Sequence, residues 1–262
     1  MRISIERAAL FAVSLLLVGG AMTSCSGSDS KDATAFESYS FTAKADGADN
    51  DSVADKIVDF NGVWECSGRG VMPVRLGGHD ITALRDTLQT LACVDLTDGK
   101  ARLKYPAELR EHKEGKDSVA PKSKMVTDLS VALLTPQTVV FRVFGYTYPE
   151  GAAHGMYSNR FVNYDLREGK ILSVSDIFNP GYEKELRELI ADKVESTVSS
   201  LLVEKDEIPV SDNFRLTDSG IEFVYSLYSV APYSDGEVTA DFAVYELDNL
   251  LKPSAKVLIL GE

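Results

Sequence analysis

The chain has 262 residues, 44% of them hydrophobic, and a formal net charge of -13. That apolar content suffices for a substantial core in one large or two small domains and excludes disorder throughout. An acidic surface repels nucleic acid and anionic lipid, so neither is expected as a partner; it either steers a basic protein or merely keeps the chain soluble.

Arg2 and Arg7 precede an apolar run from Ala8 to Val18 and then small residues before Cys25, the three-part pattern of an export signal. The run is too short to span a bilayer. Met22-Thr23-Ser24-Cys25 looks like a lipobox, in which residues 1–24 are a lipoprotein signal peptide and Cys25 is acylated. Met22 stands where Leu is usual, so ordinary signal cleavage stays open. A lipid on Cys25 would be the only membrane attachment, because no later stretch is long and apolar enough to cross. The expected location is the cell envelope, lipid-anchored, periplasmic or at the cell surface. In that oxidising setting Cys66 and Cys93 either form a disulfide, worth about 3–4 kcal/mol in the loop-entropy account, or stay as two buried thiols.

Residues 25–54 are rich in Ser, Asp, Ala and Gly and read as a tether, within which Tyr39, Phe41 and Ala43 alternate as an early edge strand. An N-terminal α+β part is expected over 55–123. Val58, Phe60, Val63, Trp64, Val71, Met72 and Val74 suggest strands, with Trp64 in the core and Gly68-Arg69-Gly70 as a turn or bulge. Asp80 offers an N-cap to a helix whose Ile81, Leu84, Leu88 and Leu91 share a face. The charged stretch from Tyr105 to Lys124 lacks periodicity and reads as a loop.

The remainder, 124–262, opens with an antiparallel meander: Val126 to Leu134, Thr138 to Tyr148, Tyr157 to Leu166 and Ile171 to Val174, joined by Thr135-Pro136-Gln137, the Pro149 to Gly155 loop and Arg167-Glu168-Gly169-Lys170. Ser175 to Phe178 makes a helical turn stopped by Asn179-Pro180-Gly181. Tyr182, Leu186, Leu189, Ile190, Val194, Val198 and Leu201 then repeat with a helical period, predicting one long amphipathic helix against the sheet. Strands resume at Phe214 to Leu216, Ile221 to Ser229 and Val238 to Tyr245, followed by a short helix from Glu246 to Leu251 and a last apolar run from Val257 to Leu260. The pattern gives an α+β fold: an antiparallel meander packed by one long helix, with a smaller N-terminal α+β part.

Chemistry-bearing motifs are sparse. His79, His112 and His154 stand in different segments, without the one-turn spacing of a zinc helix, and the cysteines lack the spacing of zinc knuckles. No metal or cofactor is expected. A Gly-x-Ser-x-Gly elbow is missing too. A wall or glycan hydrolase using His154 or a carboxylate is the alternative reading, yet choosing a catalytic pair among 40 acidic residues has no basis in spacing. His154, in Gly151-Ala152-Ala153-His154-Gly155, is either a hairpin anchor bonded to a loop carbonyl or a binding residue, with Tyr148, Tyr157 and Tyr233 as stacking surface. Tyr233 lies in Ala231-Pro232-Tyr233-Ser234-Asp235-Gly236, readable as a structural corner or as a second binding loop.

The hairpin loop, with Asn163-Tyr164-Asp165-Leu166-Arg167-Glu168-Gly169-Lys170 behind it, and the block Gly220-Ile221-Glu222-Phe223-Val224-Tyr225-Ser226-Leu227-Tyr228 before Ala231-Pro232-Tyr233 carry a resemblance. Together they resemble the extracytoplasmic domain shared by RsiV-type anti-sigma factors, which bind lysozyme, and PdaC-type peptidoglycan deacetylases, where it accompanies the catalytic domain. The likeness covers Val126 to about Leu251, and Ser67 to Val74 resembles the companion N-terminal domain. It implies a fold and an envelope setting; with the lipobox added, the expectation is a non-catalytic accessory domain on a lipid tether. The expected partner is a lysozyme-like wall-active protein or peptidoglycan.

Overall fold

The protein's structure, a computed structural model, describes residues 33–45, 64–104 and 123–261. The export segment, Cys25, much of the tether, His112 and the charged 105–122 stretch lie outside the described residues. Trp64 begins a strand, but its side chain lies outside them as well.

The elements run β1 (Ala35–Ala45), β2 (Trp64–Arg75), α1 (Thr82–Leu91), β3 (Val94–Thr97), β4 (Lys100–Leu103), β5 (Ser123–Leu134), β6 (Thr138–Pro149), β7 (Met156–Asp165) and β8 (Lys170–Ile171). They continue with α2 (Val174–Ile177), α3 (Glu183–Thr197), β9 (Phe214–Leu216), β10 (Gly220–Tyr225), β11 (Val238–Ala243) and α4 (Pro253–Leu260). The fold is α+β, and β5 to β8 form the expected meander inside a six-stranded sheet ordered β1-β2-β5-β6-β7-β8. All its pairings are antiparallel except β2 with β5, which run parallel from Trp64/Ser123 to Gly70/Leu129. The expected 55–123 and 124–262 parts therefore share one sheet.

Gly68-Arg69-Gly70 forms neither a turn nor a bulge; it sits in mid-strand on β2. A Cβ on Gly68 would lie 2.3 Å from the Phe41 ring, and one on Gly70 would lie 2.4 Å from the Leu129 carbonyl. The missing side chains let β1 and β5 close on β2 from both sides.

Alternation decides what each sheet face buries. On β6, Val139, Phe141 and Val143 join Met72, Leu129 and Tyr164 beneath Leu84 and Leu88 of α1. Each of those helix leucines contributes roughly 1.5–3 kcal/mol by leaving water. The helix starts where the Thr82 N–H donates to Asp80 Oδ1 at 2.9 Å, a bond that also holds the Asp80 carboxyl below its usual range.

Val140, on the opposite face of β6, belongs to a second core built on the three-stranded sheet β11-β10-β9. Leu186, Ile190 and Val194 of α3 are buried there with Phe214, Phe223 and Phe242. The helix stops at Thr197, short of the expected Leu201, because Asp235 captures Ser199 through both its backbone N–H and its hydroxyl. The second-core strand β10 likewise ends at Tyr225 rather than Ser229, and the apolar run near the end of the chain is helical, within α4. Two buried asparagines join the sheets. Asn163 Nδ2 donates to the Phe214 carbonyl while its Oδ1 accepts from Leu216 N, each at 2.8 Å. Asn213 accepts from Phe161 N and donates to the Asn159 carbonyl.

Candidate functional site

Three elements deliver the site: the β6–β7 hairpin loop, the turn after β10 and the approach to β11. Pro149 ends β6, and the Ala152 N–H donates back to its carbonyl at 3.1 Å, closing a turn in which Gly151 adopts φ +84°. Gly155 then packs so closely on Tyr146 that a Cβ would lie 2.4 Å from the phenol oxygen. These constraints hold His154 up at the loop rim.

Across from it, the chain leaves β10 through a turn closed by Ser229 N to the Ser226 carbonyl, with Tyr228 at φ +64°. A left-handed conformation in a residue other than glycine costs about 1 kcal/mol or more. It aims the Tyr228 phenol at the hairpin: its hydroxyl lies 3.1 Å from His154 Nε2. Val230 and Ala231 are buried and fix the loop from below, so Tyr233 meets the hairpin from the side.

The imidazole of His154 stacks on Tyr233 at 3.8 Å between centroids, and Tyr233 donates its hydroxyl to the Gly155 carbonyl at 2.9 Å. His154 Nδ1 lies 3.1 Å from the same carbonyl. A neutral imidazole with the proton on Nδ1 satisfies this arrangement: Nδ1–H donates to the carbonyl and Nε2 accepts from Tyr228. Tyr228 and Tyr233 complete a three-ring cluster at 5.6 Å. The two loops thus converge on one surface.

Of the four residues read from sequence as a binding surface, His154 and Tyr233 are in direct contact. Tyr157 pairs with Tyr146 on the adjoining strands, its hydroxyl 2.9 Å from where a Cβ of Gly236 would stand, so it supports the second loop. Tyr148 donates to the Ala152 carbonyl at 3.1 Å at the outer side of the hairpin. Tyr228, 47% exposed, is the member that sequence reasoning missed. It closes the block in which Ile221, Phe223, Tyr225 and Leu227 alternate, a block that reads as strand to its end, and only the Ser226–Ser229 turn takes it out of that strand. The charged residues of the two loops, Glu150, Asp235 and Glu237, are all acidic.

The other cysteine and histidine candidates lie elsewhere. His79 Nε2 donates to the Leu166 carbonyl, 2.9 Å away, beneath the glycine of the β7–β8 turn. Of the two alternatives open for Cys66 and Cys93, the structure has the thiols rather than the disulfide: Cys66 is buried at its place on β2, paired with Ala43 and Met125, and Cys93, only partly buried, occupies a turn residue of φ +52° after α1. Burial first, then the nearby Cys93 charge, push the Cys66 thiol up to about 12. Among the described residues no three His, Cys, Asp or Glu side chains gather in a way that could hold a metal ion.

Comparison with known proteins sets this geometry in a fold. A family model described as "Protein of unknown function (DUF3298)" matches residues 175–243, from α2 through β11. A crystal structure of a DUF3298 family member from Bacteroides fragilis NCTC 9343 superposes with a TM-score of 0.59 at 20% identity, covering 87% of this chain and 97% of that one. A DUF3298 family protein from Pseudomonas aeruginosa PAO1 gives 0.55 at 19% identity, covering 86% and 97%. The chain shares their fold. No curated protein matches.

Proposed function

We propose that this chain is a non-catalytic binding module of the cell envelope, lipid-anchored through Cys25, whose His154–Tyr228–Tyr233 surface receives a wall-active protein of lysozyme type or peptidoglycan. The observation that carries the reading is the convergence of two loops on one aromatic cluster, with Tyr228 exposed at a strained backbone position. Tyrosines supply large contact area at small entropic cost, and strain persists where surrounding structure holds it for use. The resemblance of these same two blocks to the RsiV and PdaC accessory domain supports the partner class. So does the acidic loop charge, because many lysozymes are basic. Since both ring nitrogens of His154 are engaged by Gly155 and Tyr228, the imidazole is built as an anchor for the loops, which favours binding over the hydrolase alternative.

The test is retention of hen lysozyme and of purified peptidoglycan on immobilised protein at low and moderate salt. Lysozyme retention that weakens with salt, and falls on the order of tenfold or more in Y228A, is the expected result. Retention of neither ligand overturns the reading.

A further inference from the structure

The face of the six-stranded sheet that carries Tyr146 and Tyr148 holds a cavity of about 560 Å³ further along β6. Arg142 and Phe144 line it from β6, Asp128 from β5, Ser67 and Arg69 from β2 and Ser40 from β1. Its volume falls in the range of small-molecule sites. It lies outside the aromatic cluster and plays no part in the proposed partner contact.

The two arginines are tethered in the same way. Arg69 Nε donates to Asp128 Oδ2 at 2.9 Å, and Arg142 Nε donates to Asn159 Oδ1 at 2.6 Å. The terminal nitrogens of both guanidinium groups make no hydrogen bond to a described residue, although Arg69 is 80% exposed and Arg142 lies over the Phe144 ring at 5.5 Å. Two guanidinium ends with their Nε positions already fixed form a preorganised receptor for the two oxygens of a carboxylate. Charge points to the same ligand. The lining holds two guanidinium groups, Arg69 and Arg142, and the single carboxylate of Asp128, which pairs with Arg69, so the lining carries one net positive charge in a chain of net charge -13. Glu237 stands behind Asn159, with both carboxylate oxygens taken up by the Asn159 N–H and Nδ2, and does not line the cavity.

We infer that this cavity is a binding site for a small organic monocarboxylate, the carboxylate held between Arg69 and Arg142 and an apolar body against Phe144. The Ser40 and Ser67 hydroxyls border the space left for polar substituents.

Phenylacetate and its uncharged analogue phenylacetamide are the probes, titrated into the full folded protein by ligand-observed NMR and calorimetry. Saturable phenylacetate binding, with phenylacetamide weaker on the order of tenfold, is expected. R69Q and R142Q should each weaken phenylacetate by a similar factor, whereas Y228A should leave it unchanged, which separates this site from the partner surface. Equal binding of acid and amide, tighter binding of inorganic phosphate, or no saturable binding of phenylacetate overturns the assignment. The acid–amide comparison uses the unmodified chain and stands even if an arginine variant fails to fold.

Discussion

The imidazole of His154 and the phenol of Tyr233 lie 3.8 Å apart and 23° from parallel, and the Tyr233 hydroxyl is bonded to the carbonyl of the residue following that histidine. The hairpin loop and the β10–β11 loop are therefore one unit. Tyr233→Phe keeps the stack and loses one hydrogen bond, at a cost of about 1 kcal/mol. His154→Ala loses the stack and both polar contacts of the ring, at about 1–3 kcal/mol. Urea unfolding measures both. An unchanged midpoint for His154→Ala would show that the loops hold their places without it.

Asn163 sits where the two cores meet, with its side-chain amide replacing a backbone ladder between β7 and β9. Asn163→Ala strands the Phe214 carbonyl and the Leu216 N–H in a dry environment, which costs about 2–4 kcal/mol. A loss below about 1 kcal/mol in chemical denaturation would mean that apolar packing alone joins the sheets.

Local periodicity made the meander legible. Val139 to Val143 alternate across two buried faces, and short turns force each strand beside its neighbour. The α1 and α3 stripes were equally clear. The parallel pairing of β2 with β5 was not, because it joins strands separated in sequence by a helix, a hairpin and the 105–122 stretch, and no short-range pattern records such a partner. The same blindness hid the cavity: Arg69 between two glycines reads as a turn, and only the pairing on either side of β2 reveals it as a strand residue facing Asp128. In the aromatic site, composition pointed to His154 and Tyr233. Tyr228 reaches His154 only through a turn whose positive φ at that residue no propensity announces.

The two glycines of β2 should respond differently to alanine. At Gly68 the obstacle is the edge of the Phe41 ring together with the Thr127 hydroxyl, and a partly buried ring can swing. At Gly70 it is the backbone of Leu129, which cannot move without breaking the β2–β5 ladder. Gly70→Ala is expected to cost more than about 2 kcal/mol and Gly68→Ala less than that. Thermal unfolding of the pair tests the order, and the reverse order would refute the strand-contact account.

Glu222 carries a pH dependence. Burial raises its carboxyl above the usual 4.5, and Asp241, its cross-strand neighbour, adds to the rise while Arg215 opposes it. A carboxyl that holds its proton more tightly in the folded state contributes stability fully present below the unfolded value. That contribution is lost as pH rises through the folded value. Glu222→Gln removes the dependence, so the variant gains stability relative to the parent between about pH 4 and pH 8. Urea titrations at those two ends read the difference directly. A difference that stays flat would place the shift elsewhere.

Cys66 gives a kinetic test of the N-terminal packing. Its thiol, 1% exposed and pushed up to about 12, is the thiolate in only about one molecule in ten thousand at pH 8. Because the thiolate is the nucleophile and the sulfur is enclosed, iodoacetamide should label Cys66 only as fast as β1 and α1 open. Labelling in urea should be complete within the usual time for an accessible thiol. Peptide mapping of a native time course, kept under reducing conditions, follows this site separately from Cys93. Native labelling as fast as in urea would show that the α1 side of the sheet is open. Under oxidising conditions a non-reducing map asks the second question. A cross-linked Cys66–Cys93 peptide in that map would show that the two sulfurs can meet although the structure holds both as thiols. Its formation should raise stability by about 3 kcal/mol if the bond forms without distorting β2. An oxidised chain that keeps both thiols would instead show that the strand ladder around Cys66 holds the sulfurs apart.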